Sequence, residues 1–356
     1  MLSQDFAALI SPFKQIANRA ALSATYRSLE LSEKTIRGCS GFAMMEVHGD
    51  FGIPAGKPFY VDALSFIAVV GSLPRDQEVK LALIDGVFEW SCGSAKGRLA
   101  LASIDNMPKI SHANSPTAWV PVAEFKAALQ LGTISCGSES LASVGLYGVV
   151  IDNRDDLCIY SSDSATVSAC WVMEGGLDAP ALMVLSPEAA LLLATLVPLG
   201  GDKAKLEFDE TSIYYRDGTR RALIKQLAPL KHDIATLLSE YGLAETAVDL
   251  PVERVNSFIK RIGAIAESKK TNYVLVGASK GKLTMSFSDG IASSEEYYLV
   301  DELEVPDLPT IKLDAVKMGR ALQHIQRIAL DHIERGVLVL HGDDPMFQYI
   351  LSGSQG

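Results

Sequence analysis

A chain of 356 residues with 48% hydrophobic content can build two or three separate cores. Its net charge of −11 excludes a protein that coats nucleic acid indiscriminately, because a phosphate backbone rewards clustered Lys and Arg, although a local basic strip remains open. The five cysteines (Cys39, Cys92, Cys136, Cys158, Cys170) form an odd set without C-x-x-C spacing, and no apolar run reaches the ~18 residues of a membrane span, so reduced thiols, a cytoplasmic location and no membrane are expected.

In chain order, residues 4–19 place Phe6, Leu9, Ile10, Phe13 and Ala17 on one stripe, which predicts an amphipathic helix without the basic leader of a signal peptide. Strands are predicted near 42–49 and 58–60, and a second helix over Val61 to Val70, ended by Gly71 and Pro74. The alternation of 78–83, the turn Asp85-Gly86 and the return through Cys92 read as a hairpin, followed by a strand at 98–102.

The same order then recurs. A helix is predicted at 122–131, strands at 146–151 and 157–161, a helix at 187–197 with Pro187 at an early position, and a closing meander at 205–209, 212–216 and 220–226. A third round has a helix at 251–268, strands at 272–277, 282–287 and 295–300, a helix at 314–330, and strands at 336–341 and 346–351. The first helices of the three rounds begin near Phe6, Phe125 and Val255, roughly 120 to 130 residues apart, a spacing that belongs to whole domains and not to solenoid units. The expected domains are 1–117, 118–247 and 248–356.

No catalytic constellation emerges. Gly277-Ala278-Ser279-Lys280-Gly281-Lys282-Leu283-Thr284 is one residue short of a P-loop and reads as a hairpin turn. His324, His332 and His341 lack the i, i+4 spacing of a helical metal site, and Gly342-Asp343-Asp344-Pro345 reads as a tight turn. A non-enzyme without cofactor or metal is expected.

Several segments resemble the bacterial sliding clamp, the beta subunit of DNA polymerase III. They are Ala63-Leu64 through Gly71-Ser72-Leu73-Pro74, Glu78-Val79-Lys80-Leu81, Gly97-Arg98-Leu99-Ala100-Leu101, the turn Asn106-Met107-Pro108-Lys109, and Leu313-Asp314-Ala315-Val316-Lys317-Met318-Gly319-Arg320-Ala321-Leu322. Each is mainly an apolar pattern; their collinearity over nearly the whole chain carries the likeness. The resemblance implies an α+β fold of three clamp domains, each with two helices packed on antiparallel sheets. Two chains would then make a closed homodimeric ring that encircles duplex DNA and tethers a polymerase. Twelve helices, each ~10 Å across, would enclose a hole on the order of 35 to 40 Å.

A mild positive lining would suit such a ring. Lys317, Arg320, His324 and Arg327 follow one helical face, Arg254 and Arg261 another, and Lys14, Arg19 and Lys126 are further candidates. The second helices of the first two rounds carry almost no basic residues, which leaves DNA contact there without support.

By position, the family's groove for the short hydrophobic peptides of polymerase and clamp loader would be built from Leu146, Ser162, Ser164, Thr166, Val167, His232 and Leu237, with Asp314, Lys317, Tyr349, Ile350 and Leu351. The family's Asp-Gly-His-Arg-Leu segment reads Asp163-Ser164-Ala165-Thr166-Val167, and its Met-Pro-Met-Arg-Leu ending is replaced by Leu351-Ser352-Gly353-Ser354, so the accepted motif does not carry over. Such departures would suit a phage or mobile-element member with its own polymerase. Leu99, Leu101 and Ile265 match the family's dimer contacts. The rival reading is a monomeric decoy or adaptor that binds clamp-binding peptides without encircling DNA.

Overall fold

The computed structural model of the chain describes all residues except 18–19, 54, 105, 112–115, 145, 173–179, 198–200, 230–233, 242–246, 267–271, 280, 289–291, 300–306, 343–345 and 356. Helices α1 (Ser3–Ile10) and α2 (Phe13–Ile16) precede strands β1 (Ser28–Leu31), β2 (Thr35–Cys39), β3 (Ala43–His48) and β4 (Phe59–Asp62), then α3 (Ala63–Gly71) and the meander β5 (Val79–Ile84), β6 (Val87–Cys92) and β7 (Ala95–Leu99). Next come β8 (Thr117–Pro121), α4 (Val122–Gly132), β9 (Val149–Asp152), β10 (Cys158–Ser162), β11 (Thr166–Trp171), β12 (Leu182–Leu185), α5 (Pro187–Leu196), β13 (Lys203–Phe208), β14 (Ser212–Arg216) and β15 (Arg220–Lys225). The last stretch holds α6 (Ala235–Glu240), β16 (Ala247–Asp249), α7 (Val252–Ile265), β17 (Tyr273–Ser279), β18 (Lys282–Ser288), β19 (Ser293–Leu299), β20 (Leu308–Asp314), α8 (Ala315–Ala321), β21 (Arg327–Ala329), β22 (Val337–Gly342), β23 (Phe347–Ser352) and β24 (Ser354–Gln355).

The chain forms two compact units, residues 1–126 with 175–227, and 127–174 with 228–356. In the first, an antiparallel sheet runs β4-β1-β2-β3-β15-β14-β13-β8, joined where Ala222 pairs with Met45, and a smaller sheet runs β5-β6-β7. In the second, the order is β9-β10-β11-β23-β22-β21-β16, joined where Val167 pairs with Ile350, beside a sheet β19-β18-β17-β20-β24. Strands from distant parts of the sequence therefore meet edge to edge, which removes sheet edges that would otherwise be open.

Local chemistry explains the element ends. The predicted helix over 4–19 is two short helices, because Pro12 has no N–H to donate to the preceding turn. Asp62 starts α3 by accepting from the Ser65 N–H at 2.8 Å, two residues later than expected, and Ser186 caps α5 with Pro187 in the first turn. Asp85 and Gly86 take φ of 51° and 78°, the paired positive values of a two-residue hairpin. Ser279 pairs with Lys282, so the P-loop-like segment is a hairpin. The predicted helix over 314–330 is corrected: α8 ends at Ala321, a single 3₁₀ turn follows, and Arg327 opens strand β21 opposite Asp249 and His341. Strands β1, β2, β8, β11, β12, β16, β20 and β24 come without a sequence expectation.

The cores are apolar. Phe6, Phe66 and Phe88 stack edge-on in the first unit, and Phe258, Ile262, Met318 and Leu322 are buried in the second, where α7 meets α8. Among the described residues, no helix is long and apolar enough to cross a membrane.

Candidate functional site

The described residues predicted to build a peptide groove belong to the second unit, several of them around the hairpin that joins β10 to β11. Asp163 organises that turn. Its Oδ1 accepts from the Ala165 N–H (3.1 Å), the Thr166 N–H (2.9 Å) and the Thr166 hydroxyl (2.9 Å), while Ser164 takes a φ of 76°. Its Oδ2 receives the Lys317 ammonium at 3.0 Å, with an Arg320 guanidinium nitrogen at 3.9 Å. Burial pushes the Asp163 carboxyl up, but the bonds from Lys317, Thr166 and Ala165 outweigh it and hold the group below its ordinary value. Lys317 is delivered by α8, whose start is fixed by Asp314 accepting from the Val316 and Lys317 N–H groups at 2.8 and 3.0 Å.

The pleat divides the predicted groove residues. Successive side chains on a strand face opposite ways, so Ser162, Val167 and Ile350 share one face of the sheet while Thr166, Tyr349 and Leu351 lie on the other. On that second face Ser168 donates to the Gly132 carbonyl of α4 at 3.1 Å, and the Tyr349 hydroxyl donates to the Lys317 carbonyl at 2.9 Å. Burial holds the Tyr349 phenol up at about 12, so it remains a donor at any physiological pH. Tyr349 thus supports α8 from within the core. Asp314 likewise serves as a helix cap.

The first face is covered in part by α6, and Ser162, Val167 and Ile350 on it are buried. The Gln348 amide donates to the Tyr241 carbonyl, which fixes the end of α6 against this face; Leu238 is buried beneath α6 and Leu237 remains 37% exposed. Leu146 is half-buried and its carbonyl accepts from Gly137 at 3.2 Å. His232 falls outside the described residues. Along the same face, beside α6, a cleft of about 460 Å³ is lined by Asp152, Asp155, Asp156, Tyr160 and Trp171, with Arg154 donating to Asp152 at 2.6 Å. No sequence signal pointed to Asp163 as the organiser of the site, although the spacing from Asp163 to Thr166 is that of a side-chain-capped turn.

The predicted cations are placed variously. Lys14 is exposed on α2, Lys126 is half-buried on α4, and Arg19 lies outside the described residues. On α7, Arg254 sits over the Tyr298 ring at 4.9 Å, and Arg261 pairs with Glu296 of β19. Lys260, exposed beside them on α7, had not been singled out. Lys317 and Arg320 turn to Asp163, and Arg327 is half-buried on a strand, so the four-residue helical stripe ending at Arg327 does not exist.

No family model and no curated protein matches the chain. Solved structures do, over its whole length. The DNA polymerase III beta subunit of Thermotoga maritima superposes with a TM-score of 0.83 at 15% identity, covering 100% of this chain and 98% of that one. The beta subunit from the DNA polymerase of Streptococcus pyogenes gives 0.80 at 15%, covering 100% and 99%. The sliding clamp of Bartonella birtlesii, bound to griselimycin, gives 0.81 at 13%, covering 99% and 98%. The chain has the sliding-clamp fold.

Among the described residues, β7 and β19 are two of several strands with a single neighbour. β7 pairs only with β6 and presents Lys96 and Arg98; β19 pairs only with β18 and presents Glu295 and Glu296. Apolar side chains accompany both edges. Leu101 is 36% exposed just beyond β7, Leu99 is half-buried opposite Phe88, and Tyr297 and Leu299 of β19 are 58% and 68% exposed. Ile265, at the end of α7, is 39% exposed. Of these, Tyr297 and Leu299 escaped the sequence reading.

Proposed function

We propose that the protein is a DNA sliding clamp: a non-enzymatic ring of two copies, each of three clamp domains, that encircles duplex DNA and tethers a polymerase through short hydrophobic peptides. The observation that carries this reading is the superposition of the entire chain, end to end, on polymerase beta subunits with a TM-score of up to 0.83. Supporting it are two edge strands whose charges differ in sign, β7 with Lys96 and Arg98 (the latter bonded to Glu89 at 2.7 Å) and β19 with Glu295 and Glu296. If β7 of one copy added to β19 of the other, Lys96 and Arg98 would meet Glu295 and Glu296, and symmetry would repeat the contact to close the ring. DNA within would face the cations of α2, α4 and α7, and partner peptides would use the face around Val167, Ile350 and Leu237.

The test is topological. Loaded onto a nicked circular duplex, the protein is expected to co-elute with DNA through a gel-filtration column and to be released when the circle is cut once. Equal retention on circles and on short open-ended linear duplexes would refute encirclement. A monomer that captures peptides but never remains on circles would establish the adaptor reading instead.

A further inference from the structure

The broad sheet of the first unit carries a feature that encirclement does not use. One face packs against the helices: an added Cβ at Gly38 would meet Leu29 and Phe13. Arg37 and Glu46, adjacent in register, face the opposite way, and so do Arg221, paired with Glu46, and Arg216, paired with Arg221. Arg216 and Arg221 are therefore two guanidinium groups set directly across from each other on neighbouring strands, an arrangement that is unfavourable unless something negative lies between them.

Neither is neutralised by the described residues. The carboxylates at hand are engaged elsewhere: Glu46 receives Arg37 at 2.6 Å, Glu207 receives Lys205 at 3.3 Å, and Asp217 receives Arg220 at 2.8 Å. Both arginines are exposed and both line a cavity of about 140 Å³, walled by Ile110, Tyr214 and Glu207. The Tyr214 hydroxyl is fixed to Asp209 at 2.9 Å, which holds its ring in place. Cavities that hold whole small-molecule ligands are ~300 Å³ or more, so this one admits a group and not a nucleotide.

We propose that Arg216 and Arg221 form an anion site for a terminal phosphate group, either free or at the end of a larger molecule. Two planar guanidinium forks offer the bidentate donor geometry that a phosphate dianion satisfies, and each bond is charge-assisted. Lys109, the residue before Ile110, is exposed. Glu207 opposes binding only weakly because Lys205 already neutralises it. A phosphodiester inside a continuous strand fits less well, since the chain would need two exits from so small a cavity.

Isothermal titration of the full chain with inorganic phosphate, at constant ionic strength set by chloride, tests the proposal. The expected result is saturable binding that weakens at least tenfold in both R216Q and R221Q, with R216K intermediate because an ammonium cannot make the two-pronged contact. Thermal melts without phosphate check that each variant is folded; if R216Q and R221Q are not, R216K alone must show the loss. A parallel titration with phenyl phosphate distinguishes the sources: tighter binding than inorganic phosphate assigns the site to a phosphate carried on a larger molecule, and equal or weaker binding assigns it to the free ion. Phosphate binding that is absent, or unchanged in the folded variants, would overturn the proposal, as would an oligonucleotide without terminal phosphate that competes as well as phosphate does.

Discussion

At the residue scale, the most demanding arrangement is the row Glu30–Arg37–Glu46, three charged side chains from adjacent strands. Glu30 and Glu46 are 6% and 4% exposed, and the single guanidinium of Arg37 serves both, with the Tyr60 hydroxyl donating to Glu30 at 3.2 Å. Removing Arg37 would leave two carboxylates buried without their counter-charge, so R37M is expected to lose about 3–5 kcal/mol in urea denaturation, and replacing all three residues with apolar side chains of similar volume should recover most of it. Asp163 is the other critical carboxylate. Because its folded value lies below the ordinary one, its contribution is complete at neutral pH and disappears as pH falls through the folded value. D163N should therefore be less stable than the parent by about 1–3 kcal/mol at pH 7, and the two denaturation midpoints should converge in acid. A constant gap down to low pH would show that the Lys317 contact adds nothing.

At the element scale, the edges β7 and β19 make the sharpest prediction. If they mate between copies, L99E and L299D should each reduce the mass in light scattering from twice 38.2 kDa to 38.2 kDa while leaving the fold intact by circular dichroism. An unchanged mass in both would refute that closure. How much of the elements was legible follows from their periodicity. Helix α7 announces itself by a 3.6-residue stripe, α5 by Pro187 at its start, and the β5–β6 and β14–β15 hairpins by Asp-Gly turns. Strands β1 and β11 alternate polar and apolar residues (Ser28-Leu29-Glu30-Leu31, Thr166-Val167-Ser168-Ala169), but runs of about four residues are too short to separate from chance. The error over 314–330 has the same origin. Met318, Leu322, Ile325 and Ile328 continue a helical spacing by chance, but pairing of Ile328 with Val248 and Leu340 makes the last of them strand residues. Pairing partners so distant in sequence leave no trace in local pattern. The residues predicted for the groove fall on both faces of one sheet, because Thr166 and Tyr349 sit one residue out of phase with Val167 and Ile350, a division that only the strand register shows.

At the scale of the whole molecule, a net charge of −11 and a DNA-encircling role are compatible only if retention is mechanical. A protein that held duplex DNA through six to ten phosphate contacts would lose roughly 10³–10⁵ in affinity between about 50 and 200 mM salt. A closed ring would have a much shallower dependence, because leaving a circle would require the β7–β19 contacts to part, and salt would screen only their few ion pairs. Dissociation from nicked circles is therefore expected to change by less than about tenfold across that salt range. The same rate should rise sharply in L99E, and departure from a linearised duplex should be too fast to follow by gel filtration in either salt. A rate on circles that climbed steeply with salt in the parent protein would place the binding energy in phosphate contacts, and the ring would then be unnecessary to explain it.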